Sequence, residues 1–159
     1  MRVTIHQPQF LPWLGYLDKI DQADLFIMLD TVQFKKNEWQ NRNRIRTAKG
    51  WQWLTVPVLQ HFGQRIDEVL LNPTATWKAQ HLRALDMHYA RAPYRNRYLA
   101  QLREIYSAPW NKLSDLNKAT VQWLLDAFGI TTPVHHASDY AARDGPTDRL
   151  IDLCQVVGG

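Results

Sequence analysis

Apolar positions form short alternating or continuous runs near the start of this chain, and stripes at helical spacing further along. Arg2–Ile5 alternates and is rich in β-formers, then stops at His6-Gln7-Pro8, which predicts a first strand entering a loop. Pro12 stands where a helix can begin, since a first-turn proline forfeits no helical hydrogen bond. Leu14, Leu17 and Ile20 then predict a short helix over Trp13–Asp21. Leu25–Leu29 is continuously apolar and ends in Asp30-Thr31, the pattern of a strand buried on both faces of a parallel sheet. Strand, loop, helix and strand together make a βαβ unit, with a right-handed crossover expected.

Residues 31–50 are polar with weak periodicity and close at Gly50, which predicts a long loop. Loops of that length inside a domain are usually functional or disordered. Trp51–Val58 predicts the next strand and Ile66–Leu70 a short fourth one. Helices are predicted over Thr76–Tyr89, Tyr94–Tyr106 and Leu113–Phe128. The last carries Leu113, Leu116, Thr120, Leu124 and Phe128 on one stripe and ends at Gly129 as the C′ residue. Pro133–His136 predicts a further strand and Pro146–Val157 a final helix. The class is α/β, in one domain over residues 1–159. Gly158-Gly159 stands where an αβ unit would turn into its next strand, so a further segment is expected beyond it.

Composition narrows the setting. A chain of 159 residues is long enough to bury one hydrophobic core, and seven Trp supply large planar walls to it. The single cysteine, Cys154, lies in an apolar helical pattern and reads as a packed thiol. The first residues lack an apolar signal-peptide core and no run approaches the roughly 20 residues of a membrane span, while the single cysteine, with no partner for an intrachain disulfide, makes the cytoplasm the expected compartment. The formal charge of +4 is uneven: Lys35, Lys36, Arg42, Arg44, Arg46 and Lys49 face one acid, Glu38, so this stretch alone is +5. Either it is a solvated basic loop or it meets an anion.

In open α/β sheets ligands bind beyond the carboxyl ends of the strands. His6-Gln7, Asp30 and Pro57–His61 fall at such ends, the helix near Pro12 offers free N–H groups, and the basic stretch departs from Asp30. These converge on a site for a phosphate or carboxylate. Duller roles exist for each residue: His6 bonding a carbonyl, Gln7 closing the loop, Asp30 capping the next segment, Asn41 and Asn43 as loop formers, Arg42 and Arg44 solvated. Gly15 inside a helix costs about 1 kcal/mol relative to Ala, which implies a close approach of something to its backbone. His81 and His88 share a helix face without a third ligand, and His135 and His136 point to opposite faces, so no metal site is read. No Walker loop, G-x-G-x-x-G or G-x-S-x-G is present, and no cofactor motif. Arg91, Arg95, Arg97 and Arg103 interleave with Tyr94 and Tyr98 as in some nucleic-acid binders, but at helical spacing they suit a solvated basic face.

At these residues the chain resembles the WbqC-like family. The match lies in Ile5–Pro8, Leu11–Tyr16, Leu29–Phe34, Trp39–Ile45, Leu54–Val58, Trp77, His81, Tyr89 with Ala92-Pro93-Tyr94, and Thr147–Ile151. A more distant likeness is to nucleotidyltransferases of the HxGH type, pantothenate synthetase among them, through Gly15-Tyr16 and Phe26–Phe34 with its Gln33-Phe34. Tyr16 replaces the second histidine of that motif and Pro12 the first. The resemblance implies a three-layer, mostly parallel sheet of nucleotidyltransferase-like (Rossmann-like) type with a helical C-terminal half.

It also implies a bacterial role in O-antigen or other polysaccharide biosynthesis, as a glycine transferase or ligase acting on a sugar nucleotide. An unactivated carboxylate would be joined through an acyl-adenylate, with ATP and Mg²⁺. In that scheme His6, Asp30, Lys35 and Arg42 are the catalytic candidates. Gln7, Gly15, Tyr16, Gln33, Lys36, Asn41, Asn43 and Arg44 are the substrate-binding ones. An aminoacyl-tRNA or carrier thioester as donor would need no ATP. The alternatives are a non-catalytic sugar-nucleotide or carrier-binding module and, ranked below both, a nucleic-acid binder.

Overall fold

The computed structural model describes residues 1–159. Its parallel sheet has three strands, β1 (Val3–His6), β2 (Leu25–Met28) and β7 (Val134–His136), with β2 in the centre. All four residues of β2 are buried, as its uninterrupted apolar run requires. Register aligns His6, Met28 and His136 across the sheet on one face, and Ile5, Ile27 and His135 on the other. On the first face, Tyr16, Leu17 and Ile20 of α1 (Leu14–Asp21) pack with Val121 and Leu125 of α4 (Leu113–Phe128). On the second, Leu25, Ile27 and Ala137 pack against Leu153 of α5 (Pro146–Val156). Helix, sheet and helix make three layers.

A second, larger core lies outside the sheet. Residues 42–55 form an antiparallel ribbon, β3 (Arg42–Thr47) and β4 (Gly50–Thr55), where the polar pattern predicted mostly loop. Its inner face contributes Leu54 and Ile45, which pack on α2 (Trp77–His88) and α3 (Arg95–Ser107). Pro57 separates β4 from β5 (Val58–Leu59), so Trp51–Val58 is not one strand and does not join the parallel sheet. Lacking an N–H, proline cannot carry a ladder onward. Ile66–Glu68 is a 3₁₀ turn rather than strand, followed by β6 (Leu70–Leu71), which pairs antiparallel with β5. The "mostly parallel" expectation thus holds only for the three-stranded sheet, since the other two strand pairs are antiparallel. Helix α4 ties both cores together: Leu113 and Leu116 belong to the ribbon side, Val121 and Leu125 to the sheet side. It ends at Gly129, φ +70°, a left-handed cap that a β-carbon would strain.

Candidate functional site

Three structures meet at the carboxyl end of the sheet. The first is a knot at the end of β1. His6 Nδ1 lies 2.9 Å from the Gln7 carbonyl. A carbonyl only accepts, so Nδ1 carries a proton, and in the neutral ring Nε2 is the acceptor. The His6 ring meets Tyr16 edge-on at 5.1 Å, and the Tyr16 hydroxyl donates to the Gln7 carbonyl at 3.2 Å. Burial pushes the Tyr16 phenol far above its ordinary range, so it stays protonated and acts as a donor. Gln40 Nε2 donates to Gln7 Oε1 at 2.7 Å, while Gln40 Oε1 accepts from the Lys35 backbone at 2.9 Å. Phe10 N–H bonds Trp39 O, and the Asn43 amide donates to the Phe10 and Leu11 carbonyls, holding Leu11 at φ +45°. Asn41 closes the base by donating to Val56 O at 3.0 Å and accepting its N–H on the main chain. The His6–Tyr16 segment and the start of the basic stretch therefore touch directly, with Gln40 and Asn41 each 2% exposed.

The second is a clamp on Asp30. Its carboxylate is fully buried, 0% exposed, and accepts from Ser138 N–H and Ser138 Oγ–H at 2.9 Å each, with Lys118 Nζ at 3.2 Å. This joins the exits of β2 and β7 to helix α4. Both carboxylate oxygens are engaged, so any further ligand would have to displace one of these partners. Nowhere do three or more His, Cys, Asp or Glu gather so as to hold a metal ion. Beside Lys118, His136 binds its proton less readily than usual, first through burial and then through the nearby ammonium.

The third is an open crevice of about 510 Å³ outside the ends of β2 and β7. Thr31, Val32 and Gln33 line one side, Ser138 and Tyr140 another, and Arg65 and Arg149 bring two guanidinium groups to it. Arg65 is held by Asp67 through two bonds of 3.0 and 2.6 Å, which raises its proton affinity further. Arg149 bonds Asp144 at 3.3 Å, and Asp144 is wholly exposed, so this partner competes weakly with a ligand.

Among the residues singled out in the sequence, His6, Gln7, Tyr16, Asn41 and Asn43 come together in the knot, and Gln33 alone lines the crevice. Asp30 lies beneath the crevice, behind Ser138. Gly15 packs under the Trp13 indole, whose ring would lie 2.1 Å from a β-carbon there. The close approach expected at Gly15 is thus made by the side chain that precedes its own helix. Lys35 and Lys36 are exposed without ion pairs, and Arg42 and Arg44 stack outward on tryptophans. His61 is exposed in the turn beyond β5, away from any parallel strand end. His81 is a core histidine: it faces Tyr106 Oη at 3.2 Å and Thr55 O at 3.0 Å, and burial lowers its pKa to about 4.

Reading the sequence alone missed Arg65, Ser138, Tyr140 and Lys118, and gave no role to Gln40, which stands in the Trp39–Ile45 motif. Arg149 stands in the Thr147–Ile151 motif but carried no role there. No helix is long and apolar enough to cross a membrane.

Comparison with known proteins agrees with the motif pattern. The model of the WbqC-like protein family matches residues 7–159. Uncharacterized protein Rv1507c of Mycobacterium tuberculosis (strain ATCC 25618 / H37Rv) is 40% identical over 157 residues, which are 97% of this chain and 68% of that protein. No solved structure matches. On the family match and on that relative, the chain belongs to the WbqC-like protein family.

Proposed function

We propose that this protein is an aminoacyl, in particular glycine, transferase acting on a nucleotide-linked amino sugar in bacterial O-antigen or related polysaccharide biosynthesis. The observation that carries the reading is the crevice at the carboxyl ends of β2 and β7, polar and flanked by Arg65 and Arg149. Two guanidinium groups at the place where open α/β sheets take ligands suit the pyrophosphate of a sugar nucleotide. We read the layered sheet accordingly as nucleotidyltransferase-like (Rossmann-like).

In the reaction, the sugar amine attacks the carbonyl of an activated glycine. A C–N bond forms, the bond from the carbonyl to the leaving group breaks, and the amine releases a proton. His6 Nε2, kept as an acceptor by the bond from Nδ1 to Gln7 O, is the base assigned to that proton. It stands two strand spacings, about 10 Å, from the end of β7, a distance a sugar nucleotide can span. Activation by adenylation would call on ATP and Mg²⁺. The residues present do not fit a magnesium site at Asp30, whose oxygens are already taken.

The test is calorimetric titration of nucleotide-linked amino sugars, followed by mass spectrometry for the glycylated product. Binding is expected to weaken on the order of 10-fold or more in Arg149→Ala, the loss of one charge-assisted contact. No binding by any member of the panel, or equal binding by Arg149→Ala, contradicts the proposal.

Engagement of Asp30 by Ser138 and Lys118 favours a second reading, a binding module without catalysis. His6→Ala separates the two. An enzyme loses turnover while the sugar nucleotide still binds, whereas a binding module shows no turnover to lose.

A further inference from the structure

The outer face of the β3–β4 ribbon carries an arrangement that the crevice does not use. Register puts Arg42, Arg44 and Arg46 on one face with Trp53 and Trp51, which stand opposite Arg44 and Arg46. The Arg42 guanidinium lies 4.0 Å over the Trp53 ring. That of Arg44 lies 4.7, 4.9 and 5.3 Å from the rings of Trp51, Trp53 and Trp39. Stacking of this kind fixes the plane of a guanidinium while leaving its charge unneutralised and its N–H edge free.

None of these arginines, nor Lys35, Lys36 or Lys49, makes a salt bridge, and Arg42 Nε is buried without a hydrogen-bond partner. Helix α3 differs in this respect. Arg95 and Arg103, which looked more like a nucleic-acid motif in the sequence, are both bound by Asp86. Alternate residues along a strand are about 6.6 Å apart, so the three ribbon arginines span roughly 13 Å in a line. The line starts beside Gln40 and Asn41, at the His6 knot, and runs outward to the hairpin end. Its shape is extended and its charge wholly positive, which fits a chain of phosphates better than a single one.

We propose that this face is a docking strip for single-stranded RNA, and that the RNA carries the amino acid as an ester on its 3′ end. The choice of an aminoacylated RNA, but not the binding itself, rests on the transferase reading. In that exchange the amide C–N bond forms and the ester C–O bond breaks. The ribose hydroxyl leaves with the electron pair and takes up the proton that the amine gives up. The donor is already activated, so the step balances without a nucleotide triphosphate.

The experiment is fluorescence anisotropy of a labelled single-stranded RNA of about 12 nucleotides ending in an unpaired 3′ adenosine, over a salt series. Three phosphate contacts give an expected slope of log K against log salt of about −2. Arg46→Gln, outside the tryptophan stack, is expected to reduce that slope by about 0.7 and Arg44→Gln to do at least as much, with Arg44→Lys partly restoring it. Arg97→Gln on α3 is the control and is expected to change nothing. Circular dichroism of the tryptophans identifies any variant whose ribbon has come apart, and Arg46→Gln keeps the test open if Arg44→Gln is one. Absence of RNA binding overturns the proposal. So does binding that Arg46→Gln leaves untouched, or binding to anionic phospholipid vesicles in place of RNA. No acceptor is present in this assay, so its failure leaves the crevice reading standing, and failure of the calorimetric titration leaves the strip standing.

Discussion

Replacing Asp30 by Ala removes the acceptor of two Ser138 hydrogen bonds and the counter-charge of Lys118. Hydrogen bonds to an ionised group contribute about 1.5–3 kcal/mol each. Stripping one partner from a buried ion pair costs about 3–5 kcal/mol, because the remaining charge is left uncompensated. These overlap and do not add. Lys118 keeps 27% of its side chain exposed and recovers some hydration, which places the expected loss at about 3–4 kcal/mol. A domain of this size is stable by about 5–15 kcal/mol and shifts by about 2–4 °C in Tm per kcal/mol, so a fall of roughly 10 °C is expected. Urea unfolding followed by circular dichroism measures it. Lys118→Met and the double variant complete a cycle whose coupling should be about 1–3 kcal/mol. A loss below about 1 kcal/mol, or strict additivity, would show that the clamp is not holding β2 and β7 to α4.

Acid should weaken the fold through His81. Its folded pKa of about 4 lies below the ordinary 6.5, so the unfolded chain binds more protons in that window and stability falls as pH drops through it. Nearly all of about 3 kcal/mol is lost by pH 4, and the urea midpoint of His81→Gln should be flatter between those limits. His136, shifted in the same direction, adds to the slope with the same sign. Gln40→Ala unties Gln7 from Lys35 in a buried setting and should cost about 1–3 kcal/mol. Hydrogen exchange should then quicken at the Lys35 amide, while the Val56 amide, which donates to the Asn41 carbonyl, stays protected.

How much of this could be read from the chain depends on whether the signal was local. The βαβ unit, the helices and the Gly129 cap rest on periodicity and turn chemistry within a few residues, and the structure has them at nearly those bounds. Arg42–Thr47 carries a single apolar residue, Ile45, so its alternation registered as polar loop. Its partners are indole rings on the next strand, which no hydropathy pattern reports. Asp30 stood correctly at the end of β2, but its partners Lys118 and Ser138 lie far along the chain and nothing nearby announces them. Arg65 and Arg149 reach the crevice from a turn and from a helix of opposite halves, a juxtaposition made only by folding.

A crystal of this protein soaked with a nucleotide-linked amino sugar would decide the matter. Density for the pyrophosphate between Arg65 and Arg149, with the sugar extending toward His6, is the expected result. A ligand bound elsewhere, or a crevice filled by side chains when saturating ligand is present, would contradict it.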